Sequence, residues 1–142
     1  MDEIGDMRLD VQAKLLRALQ EGEIDPIGSK RSLKVDVRIV SATNRDLQQA
    51  VSAGHFREDL YYRLNVVPIA LPPLRERRED VILLARHFLE RAAQDGLPRK
   101  ALADDAAQLL MAWHWPGNVR ELQNMMQRLS VLSRENIITT DM

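Results

Sequence analysis

The stretch FREDLYYRLNVVPIALPPLRERREDV, residues 56–81, contains the point at which the pattern of the chain changes. In its first half, a short stretch with helical spacing is followed by an apolar run, and this alternation is typical of α/β proteins. Pro72 and Pro73 then interrupt both patterns, because proline lacks a backbone donor and restricts the residue before it. Every periodic segment after them is helical. We therefore predict a boundary here, with an α/β part at residues 1–72 and a helical domain at residues 73–142.

The α/β part is expected to contain a piece of a parallel sheet together with helices. VRIVSA, Val37 to Ala42, is β-branched and nearly all apolar, which is typical of a strand buried on both faces. Val66 to Leu71 predicts a second strand, and Pro68 within it favours an edge position or a bulge. The other predicted elements are helices at Leu9 to Gln20, Asp46 to Ala53 and Glu58 to Leu64, and a hairpin or insertion loop at Ile24 to Val35.

The second part predicts three helices. Apolar residues recur at i, i+3, i+4 and i+7 from Val81 to Ala92, which indicates one helix face. A second helix is expected to begin at residue 104 or 105 and to carry Trp113 on its apolar face. For the third, we expect Asn118 to be the N-cap, with Glu121 three residues later in the capping-box position.

The bulk composition excludes several classes of site. The formal net charge is -1, from 20 Lys and Arg against 21 Asp and Glu. We therefore do not expect binding to nucleic acid driven by the overall charge. The chain has no cysteine, and its three histidines lack the spacing of metal ligands. No apolar run is long enough to cross a bilayer and no secretory signal is present, so we predict a cytoplasmic protein with no membrane partner.

Polar residues near the predicted strands are candidates for chemistry. Asp2 and Glu3 form an acid pair in which one carboxylate can hold a metal and the other can polarise water, as nucleotide hydrolysis requires. The same pair is also what a solvated acidic N-terminus contains. Asn44 follows the Val37 to Ala42 strand, where an amide can orient water against a phosphate. Asparagine is equally common in turns and as a helix cap.

Three arginines are candidates for phosphate recognition. Arg57 and Arg63 flank the predicted helix whose apolar positions Phe56, Leu60 and Leu64 would face inward, leaving both guanidinium groups outside. Arg120 stands in the first turn of the third helix of the second part, where free N–H groups favour anions. Each arginine also fits a solvated surface position, where ion pairs contribute little.

Four blocks, in order along the chain, resemble a single family. They are DEIGDM (residues 2–7), VDVRIVSATN (35–44), FREDLYYRLNVVPIALPPLRERREDV (56–81) and WPGNVRELQN (115–124). Together they resemble the sigma-54-dependent transcription activators, with the nitrogen-regulatory response regulators of two-component systems as the nearest group. The resemblance covers essentially the whole chain. It implies the C-terminal half of a AAA+ ATPase module: a partial P-loop α/β fold with a truncated parallel sheet, followed by an all-α lid subdomain.

The resemblance implies roles in ATP hydrolysis for the acidic and amide residues. Asp2 and Glu3 match the Walker B acids, Asp2 for Mg²⁺ through water and Glu3 for the attacking water, and Asn44 matches sensor I. ATP and Mg²⁺ are therefore the implied cofactors. The sequence contains no G-x-x-x-x-G-K-[ST] loop to cradle phosphates, so we do not expect these residues alone to bind or hydrolyse ATP.

The resemblance also implies roles for the arginines and for partners. Arg57 and Arg63 match the paired arginine fingers, which act on the nucleotide of a neighbouring subunit, and Arg120 matches sensor II. Gln20 to Lys34 matches a surface loop that moves with the nucleotide state. In this family, hydrolysis in a ring remodels the sigma-54 RNA polymerase holoenzyme so that promoter DNA opens, and DNA is contacted through a domain absent from this sequence.

Two other interpretations remain. A non-catalytic assembly or interaction module is the alternative we favour for these 142 residues alone, whereas an ATPase is favoured for the protein from which they derive. A different AAA+ branch, such as a clamp loader or replication initiator, is disfavoured by FREDLYYRLN followed by LPPLRER.

Overall fold

In the computed structural model, residues 3–26, 28 and 31–140 are described. The chain forms two compact units, residues 1–69 and 70–142. Each unit has its own hydrophobic core, so the two are described separately.

The first unit is built on packed helices. A 3-10 turn, Ile4–Asp6, precedes α1 (Leu9–Glu21), and α2 (Leu47–Ser52) and α3 (Glu58–Leu64) follow later in the chain. α1 packs against α3, and the buried core residues are Ile4, Leu16, Phe56 and Leu60. The three predicted helices are thus confirmed to within a residue or two, and Phe56 and Leu60 face inward as expected.

A short hairpin follows α1. Gly22 ends the helix in the left-handed conformation, with φ 64°, and its N–H donates to the Ala18 carbonyl. β1 (Glu23–Ile24) then pairs antiparallel with β2 (Leu33–Lys34). The Arg17 guanidinium ties the hairpin to α1, because it contacts Glu21 at 2.6 Å and Asp25 at 2.8 Å. The predicted hairpin is therefore confirmed, although residues 27, 29 and 30 at its tip lie outside the described residues.

The two predicted strands of the first part are wrong as local structure. Within the described ranges, neither Val37 to Ala42 nor Val66 to Leu71 pairs with another strand. Their apolar side chains are exposed, Val40 by 73% and Ile69 by 80%. A helix makes its hydrogen bonds internally, whereas a strand needs a neighbour to make them. Apolar, β-branched composition alone therefore does not form a strand here.

The second unit is a three-helix arrangement of α4 (Arg78–Gln94), α5 (Asp104–Ala112) and α6 (Asn118–Leu132), preceded by a 3-10 turn, Leu74–Glu76. α4 packs against both α5 and α6. The structure differs from the predicted all-α lid in one respect: β3 (Ala101–Leu102) and β4 (Ile137–Ile138) form a two-residue parallel strand pair. In the described part of the chain, no helix has the length and apolar character needed to span a membrane. The core residues include Leu74, Val81, Ala85, Leu89, Leu110, Trp115, Leu122 and Met126.

Of the two tryptophans, Trp115 enters the core and Trp113 does not. Trp115 is 1% exposed, and its Nε1 donates to the Leu110 carbonyl at 2.8 Å. Trp113 is 55% exposed, because α5 ends at Ala112 and the chain turns into an extended conformation at residue 113. The expectation that Trp113 belongs to the apolar face of α5 is therefore wrong.

Candidate functional site

The segment that contains Glu3 and the segment that contains Asn44 lie side by side. The Ile4 N–H donates to the Ala42 carbonyl at 3.1 Å, and Asp6 forms an ion pair with Arg45. Gly5 permits this close approach, because a Cβ atom at that position would lie 2.9 Å from Thr43 Oγ1. The fold thus brings Glu3 and Asn44, which are 41 residues apart in sequence, into adjacent segments.

Glu3 has a strained backbone. Its φ of 53° and ψ of 43° lie in the left-handed region, which costs roughly 1–2 kcal/mol for most side chains. Such strain persists where the surrounding structure determines it and is frequent at active sites. The neighbouring Asp2, which is the candidate Mg²⁺ ligand, lies outside the described residues. Across residues 3–26, 28 and 31–140, no group of three or more His, Asp or Glu side chains could hold a metal ion.

Asn44 is exposed and does not cap α2. The N-cap is Asp46, whose Oδ1 accepts hydrogen bonds from the N–H groups of Gln48 at 2.9 Å and Gln49 at 3.1 Å. Thr43 Oγ1 accepts a hydrogen bond from the Arg45 N–H at 3.1 Å, and this bond spans Asn44. The interpretation of Asn44 as a helix cap is therefore wrong. Its amide makes no hydrogen bond to the part of the chain that the structure describes.

Arg57 and Arg63 mark the two ends of α3. Arg57 is the N-cap, Arg63 lies in the last turn, and both are exposed. Arg57 donates to Asp59 through Nε at 3.0 Å and Nη2 at 2.7 Å. This hydrogen-bonded pair holds the pKa of Asp59 below its usual value and raises the pKa of Arg57. Arg63 Nη2 donates to the Leu19 carbonyl at 3.2 Å.

Sequence reasoning missed Gln12, which contacts the start of α3. Its side chain is 0% exposed and bonds to the carbonyls of Met7 and His55 and to the N–H of Arg57. The signal was present, because an amide occupies a core-facing position on the amphipathic α1. Helical spacing alone identifies the position as buried but does not identify its partners.

Arg120 lies in the first turn of α6, on an open groove of about 1190 Å³ in the second unit. Arg128 and Arg134 line the same groove. None of these three arginines forms an ion pair with a described residue. Two acidic residues, Glu121 and Glu135, line the groove as well. Of the three arginines, Arg120 is the one that lies in the first turn of α6, where free N–H groups favour anions.

The predicted capping box at the start of α6 is wrong in detail. The N-cap is Gly117, whose N–H donates to Glu121 Oε2 at 2.8 Å, so Glu121 still reaches back to the cap. Asn118 instead has φ 50°, and its Oδ1 accepts from the Leu74 N–H at 2.8 Å. The turn that carries Arg120 is thus fixed both to its own cap and to the 3-10 turn before α4.

Comparisons with known proteins agree with this organisation. Residues 1–70 match the Sigma-54 interaction domain, and residues 75–142 match the AAA+ ATPase lid domain. The chain is 52% identical over 141 residues to the DNA-binding transcriptional regulator NtrC of Rhizobium meliloti, covering 99% of this chain and 29% of that protein. It is 53% identical over 141 residues to the Nif-specific regulatory protein of Klebsiella pneumoniae, covering 99% of this chain and 27% of that protein.

A solved structure shows the same fold. The crystal structure of NtrX from Brucella abortus in complex with ATP matches with a TM-score of 0.87 and 40% identity, covering 99% of this chain and 34% of that chain. The chain spans less than a third of the length of the curated relatives named above. The partial AAA+ fold followed by a lid is confirmed, and so is the resemblance carried by the four sequence blocks. The chain belongs to the sigma-54-dependent transcription activators, a family with the AAA+ ATPase fold.

Proposed function

We propose that these residues form the water-activating, sensing and lid parts of an ATPase module that drives sigma-54-dependent transcription. The observation that carries the proposal is the close approach of the Glu3 and Asn44 segments, through the Ile4 to Ala42 hydrogen bond and the contact at Gly5. Nucleotide hydrolysis needs a group that accepts a proton from the attacking water and a group that orients that water. Glu3 supplies a carboxylate for the first role and Asn44 supplies an amide for the second.

ATP and Mg²⁺ are the proposed cofactors. Asp2 would hold Mg²⁺ through water, and bound Mg²⁺ stabilises the charge that develops on the transferring phosphate. The sequence has no G-x-x-x-x-G-K-[ST] loop, so the cradle for the β and γ phosphates must be supplied by residues other than these. ATP binding is therefore proposed for the complete module that includes such a loop.

Arg57 and Arg63 are proposed to act on the nucleotide of a neighbouring subunit in a ring. α3 turns its apolar side inward, which leaves both guanidinium groups on the outside of the first unit. The Arg57–Asp59 pair is 42% and 44% exposed, and an exposed pair opens at little cost. Arg57 can therefore leave Asp59 for a phosphate.

Arg120 is proposed to act on the nucleotide of its own subunit, from the lid. The boundary between the two functional parts is placed between residues 72 and 73. The sigma-54 RNA polymerase holoenzyme is the proposed partner, with DNA contacted by a domain outside these residues and with the cytoplasm as the location. Arg120 forms no ion pair with a described residue and lies in the first turn of α6, which supports a role toward an anionic ligand.

The test compares the complete module with its Glu3→Gln variant. Glutamine keeps the size of the side chain but cannot accept a proton, so we expect ATP binding to be retained and turnover to fall about 10² to 10⁴-fold. Asp10→Asn, an exposed acidic residue on α1, is the control and should leave turnover unchanged. Turnover that persists in Glu3→Gln contradicts the assignment.

For these 142 residues alone, a non-catalytic assembly or interaction module is the second candidate function. The observation that favours it is the run of exposed apolar side chains in the first unit and just after it: Val66, Val67, Ile69 and Leu71 are 73–81% exposed. Contiguous apolar exposure of this kind marks an interaction surface. We expect no ATP hydrolysis above background from this chain. Phosphate release that disappears in Glu3→Ala would overturn that expectation.

A further inference from the structure

Gln12 is a buried amide that uses all of its donors. It lies in the first turn of α1 with its side chain 0% exposed. Nε2 donates to the Met7 carbonyl at 2.7 Å and to the His55 carbonyl at 3.0 Å, and Oε1 accepts from the Arg57 N–H at 2.8 Å. A side-chain amide carries two N–H protons, and both are engaged. Rotating the amide by half a turn would break all three bonds, so its orientation is unique.

These three bonds join two segments of the proposed site. Met7 directly follows the 3-10 turn that Glu3 precedes. His55 and Arg57 belong to the segment by which the chain enters α3, and Arg57 is its N-cap. The position of the Arg57 backbone therefore depends on Gln12, whereas the Arg57 guanidinium is directed by Asp59.

Packing alone does not require an amide at this position. α1 already contacts the rest of the first core through Leu16, which is buried with Phe56 and Leu60. An apolar side chain of similar volume at position 12 would maintain that contact. It would leave two carbonyl groups and one N–H of a partly buried contact without their partners, and losing a partner away from water is destabilising. The amide therefore contributes a geometric constraint beyond apolar contact.

We propose that Gln12 is a positioning residue that couples the Glu3 segment of a subunit to the arginine that the same subunit presents to its neighbour. The inference rests on the proposed function of Arg57. Because one rigid side chain holds both segments, a displacement of the Glu3 segment is transmitted to the start of α3. In a ring, the nucleotide state of one site would in this way reach the active site of the next. The Gln12 side chain is fully buried and its hydrogen bonds go to the backbone, so it acts through Arg57.

The principal variant is Gln12→Met, which keeps the length of the side chain and removes all three hydrogen bonds. In the complete ATPase module we expect kcat to fall about 10 to 100-fold, because misplacing a catalytic group by about 1 Å has an effect of that size. The KM for ATP should change by less than about threefold, since an arginine finger acts mainly in the transition state. Gln123→Met, an exposed glutamine on α6, is the matched control and should leave both constants unchanged. Gln12→Leu, which removes the same bonds, replaces Gln12→Met if that variant does not assemble.

A double-mutant comparison separates positioning from general damage. If Gln12 acts through Arg57, adding Gln12→Met to Arg57→Ala should lower kcat by less than about twofold further, because the two changes remove one function. Damage elsewhere would instead multiply the two losses. A further measurement uses the 142-residue chain and monitors hydrogen exchange by NMR. The Arg57 backbone amide should exchange about tenfold faster in Gln12→Met than in wild type.

The outcomes distinguish this inference from the proposed function. If an assembled Gln12→Met module keeps its kcat, or if its loss multiplies with that of Arg57→Ala, Gln12 has only a structural role and the inference is wrong. If Arg57→Ala itself keeps wild-type turnover, the proposed function of Arg57 is overturned, and the coupling through Gln12 with it.

Discussion

Among the described residues, three that are not glycine have left-handed backbone conformations. They are Glu3 with φ 53°, Trp115 with φ 49° and Asn118 with φ 50°. Asparagine tolerates this region better than other side chains, whereas glutamate does not. The strain at Asn118 is therefore small, and it allows the side chain to reach Leu74. The strain at Glu3 is larger and coincides with the proposed water-activating group. The same conformation also occurs at Trp115, which is buried in the core of the second unit.

The Asn118 contact predicts a stability effect in the second unit. Asn118→Ala removes the acceptor for the N–H of Leu74, a residue that is 0% exposed, and places alanine at positive φ. We expect the free energy of unfolding to fall by about 2 kcal/mol, most of it from the unpaired N–H. Urea denaturation of the second unit measures this loss. Asn118→Asp keeps an acceptor and tolerates the same φ, so it should remain close to wild type; equal losses in both variants would contradict the account.

Several residue-scale expectations failed because the partners of polar side chains are distant in sequence. Asn118 resembles a cap locally, but its partner Leu74 is 44 residues away. Gln12 reaches Arg57 across 45 residues. The local sequence pattern shows that a polar residue lies at a helix end or on a buried face. Its hydrogen-bond partner is distant in sequence and is determined by the tertiary fold. The roles of Glu3, Asn44, Arg57, Arg63 and Arg120 accordingly remain proposals.

At the scale of elements, helices were predicted well and strands were not. α1, α2 and α3 begin and end close to the expected residues, because helical spacing and terminators such as Gly22 act within one segment. The runs Val37 to Ala42 and Val66 to Leu71 have strand composition, but composition supplies no hydrogen-bonding neighbour. Strand formation depends on pairing with another segment, and that information is not contained in the run itself.

The hydrogen bonds to Asp105 at the start of α5 predict that the stability of the fold depends on pH. Hydrogen bonds from the Ala106 N–H and then from Thr140 hold the pKa of Asp105 below its ordinary value of 3.8. A carboxyl group with a lowered folded pKa stabilises the fold above its unfolded pKa, and this stabilisation is lost as pH falls through the folded pKa. Asp105→Asn should therefore lower the urea midpoint at neutral pH and flatten its decline below about pH 4.

Thr140→Val is the matched variant for this prediction. It removes the hydroxyl that donates to Asp105 Oδ2 at 3.1 Å and retains the backbone N–H bond at 3.3 Å. Its pH dependence should lie between those of wild type and Asp105→Asn. A decline below about pH 4 that is as steep in Asp105→Asn as in wild type would rule out this source of acid sensitivity.

At the scale of the whole molecule, the family was predicted from sequence because four blocks occur in order over the full chain. The matches to a Sigma-54 interaction domain and a AAA+ ATPase lid domain confirm that prediction. The family could be recognised even though the strands were predicted wrongly. Recognition depends on which residues occur in which order, whereas strand formation depends on the pairing of segments. Assembly is different, because a site shared between subunits cannot be derived from one chain.

The central proposal is that the site is shared: Glu3 and Arg120 would serve the nucleotide of their own subunit, and Arg57 would serve the nucleotide of a neighbour. An arginine finger contributes roughly 10³ to 10⁵ in rate. In the complete module, Arg57→Ala and Glu3→Ala should each bind ATP and lose most turnover. Arg63→Ala should lose turnover too, through either the finger role or assembly.

The most direct test mixes inactive variants and measures ATP turnover. Arg57→Ala mixed with Glu3→Ala should recover activity, because some interfaces pair an intact Glu3 site with an intact Arg57. Arg120→Ala mixed with Glu3→Ala should recover none, because neither subunit then owns a complete site. Recovery in the Arg120 mixture equal to that in the Arg57 mixture, or no recovery in either, would contradict the shared site.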